Sequence, residues 1–175
     1  TKPYACPGKC IYCPSEARMP KSYLSSEPAA ARALNLAFDP YEQMIKRIDM
    51  LKKSSHPTDK IEYIIKGGSW NFYPLKYQYW FILESFRAAN GRCHPERPAE
   101  RRGVEGSLSE AQKRDSSVSL RSTRNDIVEE LKKEQTYNDK KAKHKIIGLT
   151  LETRPDLVTP ESILHMRQMG CTRIE

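Results

Sequence analysis

The chain has 175 residues, enough for one domain with its own core, and 38% of them are apolar against 30% charged. Lys and Arg number 30 against 22 Asp and Glu, and the resulting net charge of +8 favours a polyanionic partner, nucleic acid first among them. No apolar run approaches the roughly 20 residues that cross a bilayer and no secretory leader pattern is visible, so a cytoplasmic protein without membrane association is expected.

The chain opens on a short extended run, residues 1–5, that leads into Cys6-Pro7-Gly8-Lys9-Cys10-Ile11-Tyr12-Cys13-Pro14. Three thiols separated by three and then two residues suit a cubane [4Fe–4S] cluster, one thiolate to an iron. A cluster that only carries electrons is closed by a fourth Cys. With three, one iron stays open to a ligand such as S-adenosylmethionine, which binds through its own amine and carboxylate. Gly8 lets the loop turn tightly, Lys9 sets a positive charge beside an anionic cluster, and Tyr12 is placed to lie beside a bound nucleoside. Other readings stay open at this point. A disulfide or incidental thiols are disfavoured because a Cys-x-x-Cys pair inside a cell is more often redox or metal chemistry. Zinc is disfavoured because Cys93, Cys171, His56, His94, His144 and His165 are scattered singly and supply no second ligand pair.

Residues 14–28 lack periodicity and read as a loop that leaves the cysteines and caps them. Glu27-Pro28 starts an alanine-rich helix to about Phe38. Asp39 as N-cap, Pro40 in the first turn and Glu42 three residues after the cap start another helix. Met44, Ile45, Ile48 and Leu51 form its buried stripe, and it ends before Pro57. Residues 60–66 are β-branched and aromatic and predict a strand that stops at Gly67-Gly68. A helix over about 74–89 carries Tyr77, Trp80, Phe81, Leu83 and Phe86 at core rather than base-stacking spacing, and Asn90-Gly91 ends it.

Residues 92–124 offer few apolar side chains and are expected to be a disordered or projecting insertion, worded like a translated genomic repeat. Helical character returns at residues 126–131, with alternating charges that give a solvated face. Residues 145–151 predict a second strand, followed by Glu152-Thr153-Arg154-Pro155-Asp156. Thr159-Pro160-Glu161 caps a helix through Ile163, Met166 and Met169 to Gly170, and residues 172–175 open one more strand.

Strands alternating with helices imply a parallel α/β sheet, and the three to four βα units visible are too few for a closed barrel. The expectation is part of a larger α/β barrel with one edge and one face uncovered, divided into residues 1–91, an insertion at 92–124 and a continuation over 125–175. Functional groups in such a barrel gather at the carboxyl ends of strands. That rule selects the cysteine loop, taken to follow a first strand, then Gly67-Gly68-Ser69 and Glu152-Thr153-Arg154. The glycines let backbone approach an amino-acid ligand, Glu152 suits ribose hydroxyls, and Arg154 suits a carboxylate fork. An ion pair that fixes the loop is the plainer reading of Glu152 and Arg154. His165 is expected to be structural or solvated, and Cys171 a core residue.

Together these segments resemble the radical S-adenosylmethionine superfamily, and within it the catalytic subunit of Elongator and its single-chain bacterial and archaeal relatives. The resemblance is carried by Thr1-Lys2-Pro3-Tyr4 before the cysteines, Ser22-Tyr23 with Glu27-Pro28, Phe38-Asp39-Pro40-Tyr41, and Asp59 to Ile65 before Gly67-Gly68. It continues in Gly148-Leu149-Thr150-Leu151-Glu152-Thr153-Arg154-Pro155-Asp156 and Gly170-Cys171-Thr172-Arg173-Ile174-Glu175, so that all but about residues 92–145 are covered in order. It implies a partial radical-SAM (β/α) barrel and an enzyme that modifies the wobble uridine of tRNA. By this resemblance Cys6, Cys10 and Cys13 hold the cluster, and a reductant protein feeds it. S-adenosylmethionine is cleaved, the acetyl group of acetyl-CoA as co-substrate loses a hydrogen, and the carbon radical adds to C5 of the base on the way to a carboxymethyl group. Gly67 and Gly68 map onto the motif that holds the methionine amino group, with Tyr12, Ser69, Glu152 and Arg154 as further cofactor contacts.

The chain departs from the family where Lys66 replaces an uncharged residue and Ser69-Trp70 replaces Thr-Phe. The family's basic amino-terminal region, the rest of its barrel and its carboxyl-terminal acetyltransferase domain are not in this sequence, so full turnover by the chain alone is not expected. A radical enzyme with another substrate and a non-catalytic zinc- or RNA-binding module are the rival readings.

Overall fold

A computed structural model describes residues 1–92 and 123–175, and the expected insertion at 92–124 lies almost wholly outside them. Strands β1 (Lys60–Ile65), β2 (Lys145–Leu151) and β3 (Arg173–Ile174) form one parallel sheet in the order β1-β2-β3, as the strand–helix alternation predicts. Five helices accompany it among the described residues: α1 (Pro28–Asn35), α2 (Pro40–Lys53), α3 (Leu75–Ala89), α4 (Arg124–Lys141) and α5 (Pro160–Gln168).

The helix starts are chemical. Asp39 accepts the amide of Glu42 at 3.0 Å and Pro40 fills the first position of α2. Thr123 with Asp126, and Thr159 with Ser162, make reciprocal capping boxes for α4 and α5. α4 runs well beyond the six residues legible in the sequence, because Ile127, Leu131, Glu134 and Asn138 share a face that α3 buries.

α3 is the middle layer. Its Phe81, Ile82, Leu83 and Phe86 join Ile127 and Leu131 of α4, Leu149 and Leu151 of β2, and Met166 and Met169 in one core cluster. On its other side, Ala88 and Ala89 meet Tyr41, Met44 and Ile48 of α2. The aromatics of α3 are thus core, as their spacing implies. Cys171 is buried, and Ile163, on the spacing of Met166, stays exposed.

β2 carries one residue more than β1 can match: Ile61 pairs with Ile146 and Glu62 with Gly148, which leaves Ile147 as a bulge, 57% exposed. Ile64 and Ile174 are also exposed, so the helices cover one sheet face and leave apolar surface on the other. Among the described residues no strand precedes the cysteine loop, contrary to expectation. The opening run gives its backbone to side chains instead: Tyr77 Oη accepts the amide of Lys2 at 3.1 Å, and Tyr73 donates to the Lys2 carbonyl at 2.6 Å.

Asn138 fastens the lower end of this assembly. Its amide donates to Asn90 Oδ1 at 2.7 Å and to the His144 carbonyl at 3.0 Å, and its oxygen accepts the amide of Ile146 at 2.8 Å. Asn138→Ala strands these buried partners, and urea unfolding should register a loss of about 2–3 kcal/mol, against less than about 0.5 kcal/mol for Lys132→Ala on the exposed side of the same helix.

Burial pushes the Tyr63 hydroxyl up from 10.0 to about 12, against the opposing hydrogen bond from Ser85. Folding therefore favours the neutral phenol, so this contribution is intact below pH 10.0 and is lost as pH rises toward about 12. Stability measured across that window should fall less steeply in Tyr63→Phe.

Candidate functional site

The carboxyl ends of β1 and β2 lie side by side, and four stretches of chain converge there. After β1, Gly67-Gly68 turns the backbone, with Gly68 at φ +81°, a left-handed conformation that a side chain resists. A Cβ on Gly68 would also stand 2.9 Å from the carbonyl of Lys21, so the turn packs directly under the loop that follows the cysteines. Ser69 then leads into a 3-10 turn, Trp70–Phe72.

After β2, Glu152 ties this turn to its own strand. Its backbone carbonyl accepts the amide of Trp70 at 2.9 Å, and its carboxylate Oε2 accepts the amide of Gly67 at 3.3 Å. The same oxygen accepts the hydroxyl of Tyr23, whose own ionisation is pushed well above the ordinary phenol range by burial and by the neighbouring carboxylate. Lys66 Nζ stands 4.0 Å from the other oxygen, a loose pair on a half-exposed side chain. Thr153 Oγ1 accepts the amide of Asn71 at 3.4 Å, a second stitch between the two turns.

Each thiol of the cysteine loop meets a different one of these segments. Cys6 Sγ lies 3.6 Å from Ser69 Oγ and accepts the amide of Gly8 at 3.4 Å. Cys10 Sγ accepts from Arg154 Nη1 at 3.2 Å, and Cys13 Sγ accepts from Ser22 Oγ at 3.1 Å. All three are free thiols among the described residues, none joined to another. A Cβ on Gly8 would fall 2.0 Å from Arg154 Nη1, which makes the loop's glycine a seat for that guanidinium. Arg154 is fixed from the other side by Asp156 through bonds of 2.9 and 3.0 Å; this pairing raises the pKa of Arg154 and lowers that of Asp156.

Of the nine predicted site residues, the structure brings eight to this edge: Cys6, Cys10, Cys13, Gly67, Gly68, Ser69, Glu152 and Arg154. Tyr12 stands in solvent, 89% exposed. The Arg154 fork expected for a ligand carboxylate closes on Asp156, and Glu152 holds Tyr23 and Gly67 where ribose hydroxyls were expected. Among the described residues no three Cys, His, Asp or Glu side chains gather at metal-binding spacing. His165 is half-buried and accepts or donates at Tyr79 Oη, 2.9 Å away, in the structural role expected of it. The sulfur and carboxylate partners Ser22, Tyr23 and Asp156 were not singled out as site residues, because a non-periodic loop gives no local signal of what its side chains reach.

No family model matches the chain. Curated relatives do: a tRNA uridine(34) acetyltransferase of Dehalococcoides mccartyi is 37% identical over all of this chain and 30% of its own length, and that of Methanocaldococcus infernus is 38% identical over 27% of its length. Elongator complex protein 3 of Schizosaccharomyces pombe is 29% identical over 99% of this chain and 28% of its own. The chain thus spans under a third of these relatives' length. Among solved structures, an Elp3 of Methanocaldococcus infernus with an N-terminal deletion matches at a TM-score of 0.57 and 32% identity, covering 81% of this chain and 25% of that one.

The Tyr23 to Glu152 contact holds the loop of residues 14–27 against the sheet end. Tyr23→Phe removes it, and amide exchange measured over those residues should accelerate about tenfold, while α3 amides keep their protection.

Proposed function

Because the chain is homologous over its whole length to one region of the tRNA uridine(34) acetyltransferases and of Elongator complex protein 3, we propose that it is the iron–sulfur, S-adenosylmethionine-cleaving part of an enzyme that modifies the wobble uridine of tRNA. The observation that carries this reading is the meeting of three free thiols with Gly67-Gly68, Ser69, Glu152 and Arg154 at the carboxyl ends of two parallel strands.

The donor set fits a [4Fe–4S] cluster. Three thiols sit on one loop, and N–H and O–H groups of Gly8, Ser22 and Arg154 already point at the sulfurs, as suits sulfur that carries negative charge. Bound to Cys6, Cys10 and Cys13, such a cluster supplies the electron that cleaves S-adenosylmethionine. The chain's own residues do the holding. Arg154, locked by Asp156, places a fixed positive charge beside Cys10. The Gly67-Gly68 turn brings bare backbone to the strand end, where an amino-acid moiety can lie against it. Glu152 would receive ribose hydroxyls once Tyr23, which donates to its carboxylate, yields that oxygen. The finer chemistry belongs to the same proposal: acetyl-CoA as co-substrate, a carboxymethyl group built at C5 of the uridine, and an external reductant.

A second reading is favoured by one observation, that the three thiols lie apart on separate partners: a metal- or RNA-binding remnant without turnover. Anaerobic reconstitution of the full chain, with iron and sulfide counted, separates the two. Equal iron and sulfide, a reduced-cluster spectrum that changes on adding S-adenosylmethionine, and loss of both in Cys10→Ala are expected. Zinc without sulfide, or a folded chain that takes no metal, would sink the radical-enzyme reading.

A further inference from the structure

α4 carries a feature that the sheet-end site does not use. Lys132, Thr136 and Lys140 follow one another at i, i+4 spacing, and Lys133, Tyr137 and Lys141 do the same one residue later. They make two adjacent rows on one side of the helix, and with Arg92 they line an open groove of about 460 Å³. The four lysines are exposed, and no carboxylate among the described residues pairs with any of them. Three of the five carboxylates on the same helix are engaged elsewhere, Glu130 with Arg87, Glu134 with Arg92 and Asn90, and Asp126 with the Thr123 cap, while Glu129 and Asp139 make no ion pair with a described residue.

A solvated face is the plainer account of surface lysines, and it serves for Lys140 and Lys141, which complement the carboxyl end of the helix. It gives no reason for Lys132 and Lys133 in the middle of the helix on the same rows. The rows span nine residue steps, about 13 Å, long enough to follow a charged polymer over more than one repeat. Between the lysine pairs, the hydroxyl of Tyr137 adds a neutral donor for phosphate oxygens, while that of Thr136 donates to the Lys132 carbonyl at 2.8 Å. One face of the Tyr137 ring is covered by the Arg92 guanidinium, 3.9 Å from its centroid, and is closed to a stacking base.

We infer that this face of α4 binds the phosphodiester backbone of RNA without reading its sequence, at a distance from the cysteine loop. The distance follows from topology. The carboxyl end of α4 adjoins Lys145, where β2 begins, while the thiols lie where β2 ends, about 20 Å away over six residue steps of the strand. The choice of RNA over another polyanion rests on the tRNA reading above; the charge geometry does not.

The test is binding of a labelled tRNA to the full chain across a salt series. Replacing Lys132, Lys133, Lys140 and Lys141 by Gln should lower the slope of log affinity against log salt by roughly 3, and weaken binding at least about tenfold at low salt. The same four positions changed to Arg should bind like the unaltered chain, and Gln at the four exposed α2 cations Lys46, Arg47, Lys52 and Lys53 should change affinity by less than about twofold. Circular dichroism checks that each variant is folded. An equal loss in the α2 and α4 variants would reduce the effect to net charge and overturn the inference, as would an unchanged slope in the α4 variant. Polyphosphate held as tightly as tRNA would overturn the assignment to RNA. The readout does not involve the cluster, so a chain that fails reconstitution but shows the α4-specific slope sinks the enzymatic reading and supports this surface.

Discussion

The carboxylate of Glu152 is where the sheet end is tied together. One of its oxygens accepts the amide of Gly67 from the turn after β1 and the hydroxyl of Tyr23 from the loop after the cysteines, and its own backbone accepts Trp70. Hydrogen bonds to an ionised acceptor are about twice as strong as neutral ones, and here they join segments 85 and 129 residues apart in the chain. Among the described residues no strand leads into the cysteine loop. It is placed indirectly, through Ser22, Ser69 and Arg154, which this junction and the Arg154 to Asp156 pair hold in position.

That arrangement needs a rigid floor, which α3 provides. Ten of its 15 residues are buried, including Gln78, Glu84 and Ser85, so the helix has to satisfy polar groups inside the protein. Gln78 does so by donating to the Tyr73 carbonyl at 2.7 Å, and Tyr73 in turn donates to the backbone of Lys2 ahead of the thiols. The ring row of Tyr4, Tyr73, Tyr77 and Trp80 runs along the same path, with neighbouring centroids 5.0 to 5.7 Å apart. Core packing and placement of the thiols are therefore one problem, solved by one helix.

Much of this was legible in the sequence wherever the signal is local. Asp39-Pro40, Thr159-Pro160 and the run of β-branched residues at Lys60–Ile65 each state their structure within a few positions, and the glycine pair marks the strand end. The carboxyl-end rule then brought together eight of the nine chosen side chains, because topology decides that placement and the strand pattern decides topology. What stayed illegible depends on partners distant in the chain. Tyr23 lies in a stretch without period, Asn138 reads as one more polar residue on a charged helix, and the bulge at Ile147 breaks no propensity rule. The strand expected ahead of the cysteine loop is not found among the described residues, because extended backbone is common to strands and to segments fastened by side chains.

The exposed apolar face of the sheet sets a condition on handling. Ile64, Ile147 and Ile174 lie in a three-stranded sheet whose outer strands have no further neighbour among the described residues, the arrangement from which edge-to-edge association starts. Mutual repulsion at a net charge of +8 opposes that association, and dissolved salt screens it over about 10 Å at 0.1 M. The high-salt washes that strip nucleic acid from a basic protein therefore also remove its colloidal protection, so that purity and solubility pull in opposite directions along a single variable.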